Sequence, residues 1–379
     1  MKWLKEWIKR NQVLSFFILA YAITWPGLYL AYFLYPGNQL VEALAFPIVF
    51  SPAIAAMLIA GIAKPHPRHA RSKARWLAFL LTWLFASTIG LLYSWQVQKM
   101  DLQAGIIIVR CLFALFPAWV ISSVYARNPG IRRQFSTILK PRGLLFWYLV
   151  VFLIFPGVQL LDMGITRLVG GEVYFKLAGM GFESVAIFLS LEFLHGFLMT
   201  GGINEESGWR GFALPRLQAR YPVIISAGIV WFFWALWHIP YDIGQGVPLA
   251  QMLENRLLWN LVFAILLSWL YNRTNGSILA PALLHPAMNT FGNNLGGGEY
   301  SQYLFIGLAI FAIVFDRMWK KLPSDHPAVY TSPEQAVTQL PAGELDQGAA
   351  VGVQVGRQNS RKVQKSQGCL HTINEREGI

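Results

Sequence analysis

The sequence is poor in charge and in cysteine. Only 13% of its 379 residues are Asp, Glu, Lys or Arg, whereas 55% are hydrophobic. A soluble domain carries about 25% charged residues, so this chain cannot cover itself with a solvated surface. Its two cysteines, Cys111 and Cys369, cannot form a disulfide framework. These absences exclude a soluble globular domain and a disulfide-stapled fold, and they favour an integral membrane protein.

Long apolar runs recur along the chain. Runs of about 17–25 apolar residues can cross a bilayer as helices, and ten candidate spans occur, at 13–35, 41–63, 76–96, 105–125, 144–163, 185–202, 222–240, 257–272, 277–294 and 302–318. The first run continues to Tyr35 and is longer than the core of a signal peptide. The sequence therefore predicts an all-α, polytopic transmembrane helical bundle of about ten spans.

Basic residues are distributed unevenly between the loops. The N-terminal tail and the loops at 64–75 and 127–142 are rich in Lys and Arg, whereas the intervening loops hold few. Because cytoplasmic loops carry an excess of Lys and Arg, both termini are predicted to be cytoplasmic, and the protein to lie in a prokaryotic cytoplasmic membrane. The net charge of +12 then suits anionic lipid headgroups, and we expect no nucleic-acid partner.

Composition divides the chain into three regions. Residues 1–184 hold the first five predicted spans, and residues 185–319 hold a transmembrane core rich in ionisable groups. Residues 320–379 are polar, with Tyr330 as the single aromatic residue. Such a segment cannot bury enough apolar surface to offset the entropy lost on ordering. We predict a disordered cytoplasmic tail there.

The stretch NEESGWR, from Asn204 to Arg210, places charges beside an apolar run. In a helix, Glu206 and Arg210 can pair across one turn, whereas Glu205 lies about 100° round the axis and outside that pair. Ionisable groups at bilayer depth cost about 2.5–3.5 kcal/mol each, so they are expected to satisfy one another or to function. The alternative is a charged helix end at the cytoplasmic boundary.

A histidine near the end of the seventh predicted span forms the second motif. Glu205 and His238 are each 16 residues from the turn at Tyr221 and Pro222. An antiparallel helix pair would therefore bring the two side chains to one level in the membrane. The alternative is a packed histidine in the aromatic belt at the membrane interface.

The third motif is His285-x-x-x-Asn289 in the ninth predicted span. Four residues apart, both side chains share one helical face. Pro286 disfavours helical geometry at His285 and removes a backbone hydrogen bond, so a local break is expected there. The alternative is a pair of polar groups that bond neighbouring helices.

A rival constellation is Glu192-x-x-His195. Its spacing is typical of carboxylate-bridged di-metal sites in helical bundles, but these need a second copy and two further glutamates, which the sequence lacks. We interpret Glu192 and His195 as supporting or helix-packing groups. Arg110, inside the fourth predicted span, is expected near a water-accessible end or beside a carboxylate.

Taken together, the three motifs suit hydrolysis. A carboxylate and an imidazole can polarise a water molecule, and a second histidine with an amide can donate hydrogen bonds to a developing oxyanion. Glu205-Glu206-x-x-x-Arg210, Trp234-x-x-x-His238 and the third motif resemble, in order and spacing, those of the CPBP family of intramembrane proteases. That family includes endopeptidases that trim prenylated CAAX proteins and bacterial members linked to bacteriocin processing or immunity. The resemblance covers roughly Val185 to Phe291.

The resemblance implies a role for the first two motifs. Glu205 would be the base that, together with His238, activates a water molecule. Glu206 and Arg210 would hold the site together. One departure is visible, because the second motif usually begins with Phe and Trp234 stands in that place. The larger ring would narrow the substrate channel.

For the third motif, the resemblance implies that His285 and Asn289 form the oxyanion hole. A metal-dependent alternative uses Glu205, His238 and His285 as a zinc site with one open position. The zinc-protease signature H-E-x-x-H is absent. We favour a water activated by glutamate without a cofactor and keep zinc as the alternative.

The predicted function is an intramembrane endopeptidase. Its substrate is expected to be a protein or peptide that enters from the membrane or from the cytoplasmic side. Intramembrane Glu, His and Arg also mark proton relays, so a proton-coupled transporter is one alternative, although no internal repeat supports it. A catalytically silent binding or immunity protein of the same fold is another, and the complete set of motif residues argues against it.

Overall fold

Helices account for nearly all of the regular structure in the described part of the chain. The computed structural model describes residues 2–38, 41, 45–63 and 73–331. Within these ranges the extended structure is one isolated bridge, between Tyr174 and Gly297. The α-helices in chain order are α1 (Lys2–Arg10), α2 (Gln12–Tyr29), α3 (Ser51–Ala63), α4 (Lys73–Leu92), α5 (Ala104–Phe113), α6 (Leu115–Ser122), α7 (Pro129–Phe135), α8 (Phe146–Leu168), α9 (Phe182–Met199), α10 (Ile203–Gly208), α11 (Leu214–Gln218), α12 (Val223–Gly244), α13 (Leu249–Leu253), α14 (Asn260–Arg273), α15 (Leu279–Ala287) and α16 (Ser301–Phe315).

Several of these helices change pitch. Turns of π-helix follow α2, α4, α10, α13 and α15, at Leu30–Leu34, Tyr93–Val97, Trp209–Ala213, Glu254–Trp259 and Met288–Gly292, and short 3₁₀ turns lie at Phe46–Phe50 and Ser123–Tyr125. Turns of π-helix are rare and frequently mark functional sites. The π-turn after α10 contains Arg210 of the first motif, and the π-turn after α15 contains Asn289 of the third motif.

The helices are long and apolar enough for a membrane. In the described residues seven segments qualify by length and composition: Gln12–Leu34, Lys73–Val97, Ala104–Tyr125, Phe146–Leu168, Phe182–Gln218, Val223–Gly244 and Leu249–Arg273. Ile48–Ala63 and Ser301–Phe315 are shorter apolar helices. The predicted all-α polytopic bundle is confirmed, whereas the count of ten spans and the cytoplasmic termini stay predictions. Part of the predicted span 41–63, residues 42–44, lies outside the described residues.

Apolar surface and small residues explain how the helices pack. Leu77, Leu81 and Leu84 on α4 are all exposed, as expected for side chains that face lipid tails rather than water. Gly208 touches α3 so closely that an added Cβ would lie 2.6 Å from Cβ of Pro52. Small residues at such crossings let membrane helices approach one another. The motif on α10 is thereby held against α3.

One end of the bundle, here called the basic end, gathers α1, the starts of α2, α4 and α12, the ends of α3, α11, α14 and α16, and the segment 126–145 that contains α7. There Arg216 Nε donates to Gln12 Oε1 at 2.9 Å. Ser277 Oγ, just before α15, donates to the Lys140 carbonyl oxygen at 3.0 Å. These bonds fix which helix termini share this end.

The other end, here called the far end, gathers the ends of α2, α4, α8 and α12, the starts of α5, α9 and α13, and the residues that join them. The rings of Tyr32 and Tyr241 meet edge to face, with centroids 6.0 Å apart. Arg256 Nη2 pairs with Asp242 Oδ1 at 2.6 Å. These contacts tie α12 at the far end to the extension of α2 and to the turn after α13.

The predicted division of the chain at 184 stays a prediction, whereas the predicted start of the tail at 320 differs from the packing. Residues up to 330 form one unit, in which α2 packs on α12 across the predicted division at 184. Residues 320–330, predicted as the start of a disordered tail, pack on the bundle instead. Ala328 is buried, the Tyr330 N–H donates to the Pro215 carbonyl oxygen at 3.0 Å, and the Tyr330 ring covers Arg216. The rest of that predicted tail, 332–379, lies outside the described residues.

Candidate functional site

A cavity of about 550 Å³ brings the three motifs together. The motif side chains that line it are Glu205, Trp234, His238, His285 and Asn289. Glu206 and Arg210 are completely buried and stand behind this lining. The sequence-predicted residues therefore form one site, with five groups at the cavity wall and an ion pair beneath them.

A break in the sixth membrane segment creates the first motif. The predicted span 185–202 corresponds to α9, which ends at Met199, and the chain resumes as helix from Ile203 to Gln218. Gly201 lies in this break with φ of +86°, and an added Cβ would lie 2.7 Å from Nε2 of His285. Glycine adopts this conformation without strain and leaves room for the imidazole. The acidic pair therefore begins a second helix inside the bundle, and the alternative of a charged cytoplasmic helix end is wrong.

Glu206 is the centre of a buried network. Arg210 Nη1 donates to both carboxylate oxygens, at 2.9 and 3.1 Å, which is the i, i+4 pair that the spacing predicts. His285 Nδ1 lies 2.8 Å from Oε1 of the same carboxylate. A buried carboxylate is tolerated when it is paired and hydrogen-bonded in this way. Glu206 therefore joins the first motif to the third.

Glu205 belongs to a different set of contacts. Its Oε2 accepts a hydrogen bond from Trp234 Nε1 at 2.7 Å, and the Trp234 ring also lies under the Arg210 guanidinium, 4.7 Å from its centroid. Phenylalanine could provide the ring face but has no N–H to donate. The departure noted in the second motif therefore adds a direct bond to the candidate base.

Both histidines at the cavity have a defined tautomer. His238 Nδ1 lies 2.7 Å from the Trp234 carbonyl oxygen, and His285 Nδ1 bonds the Glu206 carboxylate. Because these oxygens only accept, each Nδ1 must carry the proton. In the neutral rings Nε2 is then a lone-pair acceptor. His238 can accept a proton or hydrogen bond from water, whereas His285 can donate from Nε2 only as an imidazolium.

The third motif is not broken at its proline. Pro286 lies within α15, which continues to Ala287 and passes into the π-turn Met288–Gly292. The local break expected at His285 therefore falls after it, where the wider turn carries Asn289 to the cavity. The Asn289 side chain is exposed there and presents an amide that can donate without a change of charge.

The zinc alternative requires Glu205, His238 and His285 to converge on one ion. Within the described ranges, no three His, Cys, Asp or Glu side chains are grouped closely enough to hold a metal. The Nδ1 atoms of both histidines bond protein oxygens and leave each Nε2 free, an arrangement that histidines with and without a bound metal both adopt. The absence of a cofactor and the zinc alternative both stay predictions, and no step below passes through a metal.

The rival constellation lies apart from the cavity. His195 stacks on Tyr93, with ring centroids 3.9 Å apart, and Tyr93 donates to Glu192 Oε1 at 3.2 Å. Arg110 donates to Ser94 Oγ at 2.7 Å and also to Gln98. Thus Glu192 and His195 pack α9 against the end of α4, as interpreted from the sequence. Arg110 bonds neutral groups rather than the carboxylate that was one of the two expectations for it.

Sequence reasoning missed several residues of the cavity. The glycine pair at 201–202 directly precedes the acidic motif, and that position was a readable signal for a chain break. Asp242 and Arg256 are oppositely charged residues next to apolar segments, and this was a readable signal for an ion pair. Other wall residues carry no pattern of their own and come from α2 and its π-turn, the 3₁₀ turn before α3, the start of α14 and the residues after the π-turn of α15: Thr24, Tyr32, Ile48, Val49, Asn260 and Asn293.

Comparison with known proteins points to the same part of the chain. Residues 187–291 match the family described as type II CAAX prenyl endopeptidase, Rce1-like. This range includes every residue of the three motifs. The chain is also similar to the CAAX prenyl protease 2 of Methanococcus maripaludis, with 27% identity over 199 residues, which cover 49% of this chain and 72% of that protein.

Proposed function

We infer that this chain, whose residues 187–291 match the Rce1-like family of type II CAAX prenyl endopeptidases, is a membrane protease that cuts peptide bonds with a water molecule activated by Glu205. The observation that carries the inference is the Glu205 carboxylate at the wall of the cavity, bonded to Trp234 and facing the same space as His238. A base must reach the proton that it removes. Within the cavity, a water between Glu205 and His238 satisfies that condition.

The proton balance follows from these groups. The water oxygen forms a bond to the scissile carbonyl carbon while Glu205 takes one proton from that water. His238 Nε2 accepts a hydrogen bond from the other O–H group of the same water. The proton on Glu205 then passes to the amide nitrogen as the C–N bond breaks. Asn289 donates to the developing oxyanion, and His285 joins it when its ring carries a second proton. The Glu206–Arg210 pair keeps His285 in place.

The cell membrane of a prokaryote is the proposed location, with a protein or peptide as substrate. Anionic lipid headgroups are proposed partners at the basic end, where Lys2, Lys5 and Lys9 lie on α1. Such headgroups attract juxtamembrane Lys and Arg by about 1 kcal/mol each.

The direct test compares protein N-termini in cells that produce the native protein or Glu205→Gln at equal levels. New N-termini that depend on Glu205 are expected, and they identify substrates at the same time. Washed membranes treated with a zinc chelator are expected to keep this activity. Identical termini in both cells, with a stable native protein and proton flux in proteoliposomes, would establish the transporter instead.

The bond between Trp234 and Glu205 gives a second prediction. Trp234→Phe keeps an aromatic face for Arg210 but removes the N–H donor. A hydrogen bond to a charged group is worth about 1.5–3 kcal/mol, so we expect kcat to fall about 10- to 100-fold. Since the bond orients the base rather than the substrate, KM is expected to change little. Equal kcat in the two proteins would show that Trp234 serves only to fill space.

Gly201 gives a third prediction. Gly201→Ala places a methyl group against the His285 ring at a backbone conformation that favours glycine. We expect cleavage to fall by more than tenfold, because a displacement of about 1 Å can cost 10²-fold in rate. The matched control is Gly228→Ala, a helical glycine with open space around it, which is expected to cleave at the native rate. A native rate for Gly201→Ala would mean that the break tolerates a side chain.

A further inference from the structure

We propose that substrate reaches this site from the non-cytoplasmic side of the membrane, and that the substrates are uncharged, largely apolar segments of exported or membrane-inserted polypeptides. The inference rests on the proposed function, because it concerns the route to the same cavity. It replaces the membrane-or-cytoplasm route expected from the sequence. Three observations carry it: where the cavity opens, what closes it, and where the basic residues lie.

The cavity opens towards the far end of the bundle. Trp234 and His285 form its floor and are nearly fully buried, and Trp234 lies midway along α12, about 15 Å from either end. The other lining residues lie only on the far side of this level. They come from the end of α2, the 3₁₀ turn before α3, the end of α12, the turn before α14 with the first residue of α14, and the turn after α15. Tyr241 and Asn293 are exposed and stand at the rim.

The opposite direction is closed. From Ile203 to Gln218 every residue except Gly211 is buried, and this segment runs from the cavity floor towards the basic end. Trp209, Arg210 and Phe212 fill the space directly below the floor with no exposed surface. A polypeptide therefore has no route along this segment from the basic end to Glu205.

The charges assign the two ends to sides of the membrane. Seventeen described Lys and Arg residues belong to the basic end: Lys2, Lys5, Lys9, Arg10, Lys73, Arg75, Arg127, Arg132, Arg133, Lys140, Arg142, Arg216, Arg220, Arg273, Arg317, Lys320 and Lys321. The described loops and turns of the far end hold four: Lys99, Arg167, Lys176 and Arg256. Loops rich in Lys and Arg stay in the cytoplasm. The cavity therefore opens on the non-cytoplasmic side.

The rim indicates what kind of segment fits. Its one cation, Arg256, is paired through two short bonds with Asp242 and offers no net charge. The remaining polar groups of the rim are amides and phenols, on Asn260, Asn293 and Tyr241, next to a wall of aliphatic side chains from the end of α2 and the 3₁₀ turn before α3. Such a surface binds backbone amides and apolar side chains. It does not favour a strongly acidic or basic tail.

Cysteine labelling tests the route without requiring cleavage. In a protein carrying Cys111→Ala and Cys369→Ala, single cysteines are introduced at the rim (Asn293→Cys) or at the basic end (Arg220→Cys). A membrane-impermeant maleimide is applied to intact cells or to inverted vesicles. We expect Asn293→Cys to react in intact cells and Arg220→Cys only in inverted vesicles. Label at Asn293→Cys is also expected to abolish the Glu205-dependent cleavage.

Each result that differs from these expectations contradicts one specific part of the two proposals. Reaction of Asn293→Cys only in inverted vesicles overturns the proposed side of access, whether or not the protein is a protease. The same labelling in Glu205→Gln shows that this result is independent of catalysis. If Asn293→Cys reacts from outside but the Glu205-dependent termini map to cytosolic proteins, the proposed substrate class is wrong and the protease function stands. If labelling is as expected and no such termini exist, the proposed function fails instead.

Discussion

Replacing Glu205 with glutamine is expected to lower the rate of peptide-bond cleavage by about 10²–10⁴-fold, the usual contribution of a positioned general base. Glutamine has nearly the same shape, and its amide oxygen can still accept the hydrogen bond from Trp234. It cannot take a proton from water at neutral pH. The fold should therefore survive while the chemical step is lost. The measurement is the rate on a substrate identified by its Glu205-dependent N-terminus, with purified protein in lipid.

The matched control is Glu192→Gln. Glu192 is another membrane-embedded carboxylate that accepts one hydrogen bond, from Tyr93, but it does not line the cavity. We expect its replacement to leave the rate within a few-fold of native. Equal losses in both variants would indicate a general effect of removing a membrane carboxylate. A native rate for Glu205→Gln would exclude Glu205 as the base.

The fold class and the motif residues could be predicted because they depend on strong local signals. Apolar runs of membrane length predict helices wherever they occur, and the i, i+4 spacing of Glu206 and Arg210 predicts their ion pair. The equal distances of Glu205 and His238 from one turn predicted a common level, and both line the same cavity. Each of these signals lies within one helix or one helical hairpin.

The remaining features depend on packing between distant segments. The break at Gly201 places the acidic pair mid-bundle because His285, 84 positions later, occupies the space that a side chain would need. The Trp234 indole was predicted only as a bulky ring, since its bond to Glu205 depends on how α12 faces α10. Likewise, Tyr32 and Val49 reach the cavity from the first two apolar segments, which contain no motif. Sequence spacing carries no information about contacts between segments that lie far apart in the chain.

The buried ion pair beneath the cavity gives the prediction with the largest expected effect on stability. Arg210→Met removes the guanidinium but keeps an unbranched apolar stem, and it leaves the Glu206 carboxylate buried without its cation. Removing one partner of a buried ion pair costs about 3–5 kcal/mol. We expect the variant to unfold at a lower denaturant concentration in mixed micelles, and to lose cleavage because the Glu206 carboxylate that bonds His285 is no longer held by Arg210. Lys9→Gln, which breaks the exposed pair with Glu6, should change stability very little.

A double variant separates the two explanations for that loss. In Arg210→Met with Glu206→Gln, neither buried charge remains, and the glutamine oxygen can still accept from His285 Nδ1. If the cost comes from an uncompensated carboxylate, the double variant must be more stable than Arg210→Met alone, because replacing a whole buried pair is often close to neutral. If the cost comes from the lost contact between Arg210 and Trp234, the second substitution restores nothing. Equal stability of the single and double variants would therefore contradict the role of Arg210 as the counter-charge of Glu206.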